Sequence, residues 1–492
     1  MTIRIFAIFG LAALLALSAA GAQDTDTTVD PLARAEQLRN SGDFAQAAGI
    51  LRQLLASEPD NGDAARLLAQ TLYWLGDVPG ATAVYERAIA THPHDTSVRL
   101  DYAQMLVETR SAARAAELLE PLIANPDTRG RAATLAGTML YWQGDLAGAA
   151  ARFRMALAAD PGAAEARRQL DEIRVLSAPW IAIGAGGLND DQPLDRIEGE
   201  VEAGFFINPL LSVAARARPR RFDVGAPENY DVVSGEIELS HYAAAARLET
   251  LVAAGGVNHS AGDGSRMWTG RAQLRFRLPN HFSVTARGER APYLWTVASI
   301  EKPVMSETGT LAAALSRPDG WLGEAAFRVE QFPDQNRVTS AYVWLLAPVL
   351  RTPQARASLG YSAASQDSRE TRFNGRYDPY YTPESIVSHS ALASIALLPS
   401  PRSTITARGA WGFYARETAP RLVLSNVVPG TVPAIAFERR SFTPWDAHMT
   451  INGAVSNAVT LSASVDRMQT AFYSATSGSV RLSYRFLPAR HR

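Results

Sequence analysis

Two rhythms of apolar and polar residues divide the chain near Ser177. Before that point apolar side chains recur at helical spacing. Beyond it, segments of about ten to fourteen residues alternate apolar and polar at every step, with Pro, Gly, Asn and Asp between them. The first rhythm predicts packed helices, and the second predicts strands with two different faces.

The helical part repeats. Gly42-Asp43, Gly76-Asp77 and Gly144-Asp145 share a period of 34, since 76 − 42 = 34 and 144 − 76 = 68, and the missing copy falls at Arg110. Five residues on stand Ala47, Ala81, Ala115 and Ala149, small enough for two helices to approach closely. Leu51, Tyr85, Leu119 and Phe153 occupy the matching large apolar position of the second helix, and Pro59, Pro93, Pro126 and Pro161 are read as ending the units. This is the tetratricopeptide pattern, whose helix-turn-helix units bury their apolar faces only by stacking. Residues 31–176 give four units, the third with Arg110 in place of the turn glycine, and a capping helix from about Ala163 to Val175. Tyr73-Trp74 and Tyr141-Trp142 end the first helix of units two and four. They either line a concave protein-binding face or pack on the next unit, the commoner fate of aromatics at helical spacing.

In the strand-rich part, Arg271, Gln273, Arg275 and Arg277 point one way while Ala272, Leu274, Phe276 and Leu278 point the other. Glu198, Glu200 and Glu202 oppose Val201, Ala203 and Phe205, and Ser283, Thr285, Arg287 and Glu289 oppose Phe282, Val284 and Ala286. A soluble sandwich would bury the apolar row. A transmembrane barrel turns it to lipid and points the polar row into a wet lumen. Sixteen such segments run from 179–189 to 474–487, the fourteenth at 441–454. Tight connections such as Asn208-Pro209 and Pro318-Asp319 alternate with longer ones, as short periplasmic turns alternate with extracellular loops. The even count returns both barrel ends to the periplasm. The longest loops, 366–383 and 416–440, should face outside, where they either gate the pore or remain solvated. The fold class is therefore a two-domain α + β chain, an all-α tetratricopeptide solenoid followed at 177–492 by an antiparallel barrel of about sixteen strands.

Composition narrows the setting. The 492 residues include no cysteine, which removes disulfides, thiolate metal sites and the lipidated cysteine of a lipoprotein. A formal net charge of −1 leaves no electrostatic footprint for nucleic acid. Arg4, the apolar stretch from Ile5 to Ala19 and Ala20-Gly21-Ala22 read as a cleaved signal peptide over 1–22, with 23–30 as a linker. The chain carries no nucleotide loop, HExxH helix or GxSxG elbow, so no catalytic residue, metal ligand or cofactor is assigned. His92 and His94 share a repeat turn. His241, His259, His281, His389 and His448 lie on or beside strands, where a Ser or Asp could meet them, so a barrel enzyme acting on lipid or glycan stays open as an alternative. The stronger candidate is the lumen, lined by Glu198, Glu200, Glu202, Arg216, Arg218, Glu236, Glu238, Arg275, Arg277 and Arg287. Such rows either set selectivity or pair across neighbouring strands and stiffen the wall.

These features together resemble the bacterial exopolysaccharide exporters of the outer membrane that join tetratricopeptide repeats to a barrel, notably the cellulose synthase outer-membrane subunit and the poly-N-acetylglucosamine porin. The segment Asn374 to Ser390 resembles the tyrosine-rich YYSPQ-type motif of the cellulose family in Tyr380, Tyr381 and Pro383, and departs from it at Thr382 and Glu384. Tyr73 to Asp77 and Tyr141 to Asp145 are also similar to YaiO-like outer-membrane proteins, which makes an envelope scaffold without export the second choice. The resemblance implies a porin that passes a polysaccharide chain while its periplasmic repeats dock periplasmic or inner-membrane synthase components. Outer-membrane lipid and the barrel assembly machinery would be further partners, and nucleic acid would not.

Overall fold

In a computed structural model the described residues are 30–225, 229–261, 265–423, 434–470 and 473–487. The expected signal peptide and its cleavage site lie outside them.

Among the described residues nine helices precede the barrel: α1 (Pro31–Asn40), α2 (Phe44–Ser57), α3 (Gly62–Trp74), α4 (Val78–Thr91), α5 (Thr96–Glu108), α6 (Ala112–Ala124), α7 (Pro126–Gln143), α8 (Leu146–Ala159) and α9 (Ala164–Leu176). The Gly-Asp repeat has a direct cause. Gly42, Gly76 and Gly144 take positive φ of 86°, 84° and 84°, reversing the chain after one helix. The aspartates that follow, Asp43, Asp77 and Asp145, accept a backbone N–H and cap the next helix. Unit three lacks both devices: Arg110 is held at φ 64° and Ser111 makes no capping hydrogen bond. Ala47, Ala81, Ala115 and Ala149 are fully buried, and Leu51, Tyr85, Leu119 and Phe153 are almost so. Burying each of those four large side chains contributes about 1.5–3 kcal/mol. One proline behaves differently from expectation. Pro126 opens α7 behind the Asn125 cap, where its missing N–H costs nothing, and it is Pro121 that sits inside a helix.

The strands are β1 (Trp180–Asp190), β2 (Leu194–Asn208), β3 (Leu211–Asp223), β4 (Asn229–Ala243), β5 (Leu248–His259) and β6 (Ser265–Arg277). They continue with β7 (Phe282–Tyr293), β8 (Val304–Ser316), β9 (Leu322–Gln331), β10 (Arg337–Arg351), β11 (Ala355–Ser368) and β12 (Ser385–Ser400). The last are β13 (Ser403–Val423), β14 (Ala434–Ser441), β15 (Trp445–Ala454), β16 (Val459–Gln469) and β17 (Ser474–Arg485). Apart from β14 and β15, consecutive strands pair antiparallel, and β1 pairs with both β2 and β17, which closes the sheet. β14 and β15 lie end to end along β13, the first against 416–423 and the second against 403–411. They fill one barrel position, so the closed barrel has sixteen strands.

That arrangement corrects two expectations. The stretch 416–440 is not one long loop: residues 416–423 and 434–441 extend the sheet as a hairpin arm, and 424–433 lie outside the described residues. The strand expected at 441–454 is broken at 442–444, where Pro444 has no N–H to offer the ladder. Its carbonyl still accepts Gly412 N–H at 2.7 Å, and Phe442 N–H reaches Ala415 O at 3.1 Å, which keeps the break stitched.

The apolar row faces out. Ile197 is 72% exposed, and Ile237, Trp268 and Trp411 are exposed to a similar degree, while the charged residues alternating with Ile197 and Ile237 turn inward. Only a lipid environment makes such a surface favourable around a closed barrel.

The chain forms two compact units that meet between Thr109 and Arg110, inside the third repeat and not at the start of the barrel. Within the second unit the last repeat is tied to the turn end of the barrel. Tyr242 Oη donates to Gln143 O at 2.9 Å, and Arg485 Nη1 donates to Leu176 O at 2.7 Å. The Tyr242 ring lies so close to Gly144 that a Cβ there would sit 2.7 Å from the ring.

Two substitutions test the turns. Arg110→Gly should stabilise the helical repeats by about 0.5–1 kcal/mol by removing left-handed strain. Gly144→Ala should destabilise them by about 2 kcal/mol, adding that strain to a clash with Tyr242. Thermal melts of the helical signal of the full chain check both, and opposite signs are expected.

Candidate functional site

The antiparallel register sets acids against bases inside the barrel. Glu202 faces Arg216, Glu198 faces Arg220, and Arg216 faces Glu236 across successive strands. Arg216 is the hub: its guanidinium lies 2.6 Å from Glu202, pairs with Glu236, and stands 3.8 and 3.9 Å from Glu200 and Glu238. Arg218 meets Glu200 at 2.6 Å. Arg271 meets Glu238 at 2.6 Å and Glu236 at 3.4 Å. From the closing strand Arg481 pairs with Glu200 and reaches Glu202 at 3.0 Å, and Trp180 Nε1 donates to Glu202 at 2.8 Å. Arg275 and Arg277 both turn to Glu249, at 3.9 Å for Arg275, and Arg287 pairs with Glu289.

Each of the ten charged positions named above has an opposite charge beside it. Pairing across strands dominates. Trp180, Arg196, Arg220, Arg271, Glu249 and Arg481 complete the network and were not among the assigned lining residues. Each lies two residues from another inward position in its strand, so strict alternation would have found them. Hydroxyls share the inner face with these charges. Ser362 faces Ser390 across β11 and β12, and Ser464 shares a 2.9 Å hydrogen bond with Ser479 across β16 and β17.

The end of the barrel away from the last repeat carries two packed segments. The β7–β8 connection, 294–303, bends inward: Leu294, Val297 and Ile300 pack on Leu194, Phe222, Val232 and Val257. The last four share the inner face with Glu198, Arg220, Glu236 and the residue opposite it, so the connection sits within the rim. It carries a short helix, α10 (Val297–Glu301), with a capping box between Thr296 and Ser299. Nothing in the sequence assigned this connection a role. The second segment, 369–384, corresponds to the expected long loop and packs onto the first. Tyr380, 1% exposed, stacks on Phe332 at 3.5 Å and donates to Asp334 at 2.6 Å. Thr296 Oγ1 donates to Pro379 O at 2.6 Å, and Arg376 meets Glu301 at 2.9 Å. Tyr381 packs edge-on against Tyr377 at 4.6 Å, and Pro383 O accepts Ser368 Oγ at 2.6 Å. Tyr380, Tyr381 and Pro383 thus hold the mouth segment in its folded form.

Glu417 stands on the hairpin arm, beyond the exposed aromatic group Trp411, Phe413 and Tyr414 that marks the lipid boundary of β13. It is fully buried, and neither carboxylate oxygen has a hydrogen-bond partner. Burial pushes its carboxyl up to about 7 against the opposing pull of Arg440, its register partner on β14. Tyr377 and Tyr381 of the mouth segment lie within reach of its charge.

In the repeats, Tyr73 Oη donates to Glu108 and Tyr141 Oη to Glu172, both at 2.7 Å, so each tyrosine is bound to a later helix. Trp74 remains 54% exposed under Arg39, and Trp142 is 40% exposed under Arg110. The tyrosines follow the packing alternative, and the tryptophans leave an aromatic-cationic surface. Of the strand histidines, His448 pairs with Asp466 inside the barrel, His389 lies 2.5 Å from Tyr361 Oη on the outside, and His259 accepts Ala261 N–H. Among the described residues no serine hydroxyl is bonded to any of these three.

Residues 32–165 match the family model described as "Cytochrome c-type biogenesis protein H TPR domain". No curated protein matches the chain. Among solved structures it is similar to "Bacterial polysaccharide outer membrane secretin", with 8% identity, a TM-score of 0.48, and coverage of 63% of this chain and 99% of that one. It is also similar to "MamA 41-end from Desulfovibrio magneticus RS-1", with 18% identity, a TM-score of 0.27, and coverage of 30% and 85%. Similarity to "Crystal structure of PilW, widely conserved type IV pilus biogenesis factor" is at 22% identity and a TM-score of 0.27, covering 29% and 66%.

Because burial raises the Glu417 pKa, the stability this carboxyl contributes where it packs against the mouth segment is fully present below the ordinary value of about 4.5 and is lost as pH rises through about 7. Limited proteolysis of 369–384 should therefore be faster at pH 8 than at pH 5. Glu417→Gln should flatten that dependence.

Proposed function

We propose that this chain is an outer-membrane exporter of an exopolysaccharide, with its repeats on the periplasmic side docking the machinery that synthesises or hands over the polymer. The observation that carries this reading is the inner wall: a closed barrel, apolar outside, whose interior is an ion-paired and hydroxyl-lined surface rather than a packed core. A wall of this kind makes many weak, exchangeable hydrogen bonds to sugar hydroxyls and has no strong trap, which is what passage requires. Most of its charges are paired with one another, so a polymer can slide along most of the wall without first stripping a counterion from each one. Exposed Trp74 beside Arg39 in the first compact unit, and exposed Trp142 beside Arg110 in the second, each offer an aromatic-cationic patch to a protein partner.

The packed mouth segments favour a second reading, an envelope scaffold whose barrel does not conduct. The two differ in what the cell loses. Deleting the gene in its host should remove one surface polysaccharide and leave polymer trapped in the periplasm. A mutant with unchanged surface glycan and no periplasmic polymer would refute export.

A further inference from the structure

Beneath the inward β7–β8 connection lies a cavity of about 250 Å³. Arg196, Arg216, Arg218, Arg220 and Arg271 line it, with Glu236 and Glu289 as its lining carboxylates and Leu294 and Trp295 among its apolar ones. The lower arginines are well matched, since Arg216, Arg218 and Arg271 each have a carboxylate at 2.6 Å. The upper two are not. Arg196 and Arg220 share the single carboxylate of Glu198, at 3.5 and 3.3 Å, although only 16% and 20% of their side chains is exposed. Arg196 Nε and Arg271 Nε are buried donors with no acceptor. Two largely buried guanidiniums facing one distant carboxylate are costly unless a further anion joins them. Above them the Trp295 ring is 55% exposed, lies 5.9 Å from the Arg196 guanidinium carbon, and is fixed by Gln192 Nε2 donating to Trp295 O at 3.2 Å.

From this we infer that the cavity is a binding subsite for a sugar that carries a carboxylate. The guanidinium forks of Arg196 and Arg220 take the two oxygens of the acid, and the exposed indole offers a flat apolar surface to the ring. A neutral sugar would satisfy the second requirement and leave the first unmet. A small inorganic anion would do the reverse. The inference rests on the export reading and names its cargo, a polymer with acidic residues. The acid would complete the charge balance at the last constriction before the mouth.

The test is titration of the purified full chain in detergent, at fixed 0.15 M NaCl, with an oligoglucuronate and with an uncharged cello-oligosaccharide of equal length, followed by tryptophan fluorescence. The acidic oligomer should bind at least tenfold more tightly. Arg196→Gln and Arg220→Gln should each remove most of that preference without changing the affinity for the neutral oligomer. A heat-modifiable gel mobility verifies that each variant barrel is closed. Should one arginine variant fail to close, the other and Trp295→Ala, which lies on the connection and outside the strand ladder, still test the site. Equal binding of both oligomers, or a preference untouched by the variants, overturns the acidic subsite and leaves export standing. Binding of neither oligomer counts against both.

Discussion

The pairing of β1 with β17 is the contact on which the rest of the barrel depends. Once the first and last strands meet, every position around the barrel has a neighbour on both sides, and only the arm formed by β14 on β13 stands outside that ring. Closure then leaves each strand one inner and one outer face, and the alternation of the sequence decides what they hold. Ile181 and Ile183 of β1 turn out beside Leu482 and Tyr484 of β17, while Gly184 and Gly186 leave room inside for Glu200, Glu198 and Arg481.

Closure also explains why the inner charges pair. Rows two residues apart on one strand meet rows of opposite sign on the next at distances set by the ladder, so Arg216 touches carboxylates of both β2 and β4. An exposed pair of this kind contributes little, about 0–1 kcal/mol. A linked network confined to a narrow lumen contributes more, because each side chain is already ordered by its other partner. The network spans β17, β1, β2, β3, β4 and β6, and so braces the part of the wall that includes the closing seam. Hydroxyl pairs such as Ser362–Ser390 and Ser464–Ser479 share the inner face with these charges.

Periodicity carried most of this architecture. A 34-residue repeat and a two-residue alternation were enough to place helices, strands and the inward row, because both patterns are imposed by the solvent each face meets. What escaped depends on contacts between distant segments. Nothing local distinguishes Leu294, Val297 and Ile300 from an ordinary short loop; they matter because Phe222 and Val232 are apolar at inward positions where polar residues prevail. That exception to the alternation was a visible signal. Tyr380 stood out only as part of a motif, while its role comes from Phe332 and Asp334, nearly fifty residues earlier. The broken fourteenth strand was hidden for a different reason: Pro444 interrupts the ladder without interrupting the apolar rhythm.

Export requires a hydrated conduit whose interlocked mouth segments can part to let a chain through. Conductance of single barrels in a planar bilayer tests it most directly, with the natural chain compared against Tyr380→Ala, which removes both the Phe332 stack and the Asp334 hydrogen bond. The natural chain should stay closed with rare, brief openings, and the variant should show sustained conductance. A variant as silent as the natural chain would mean that the lumen is blocked along its length and is not a conduit.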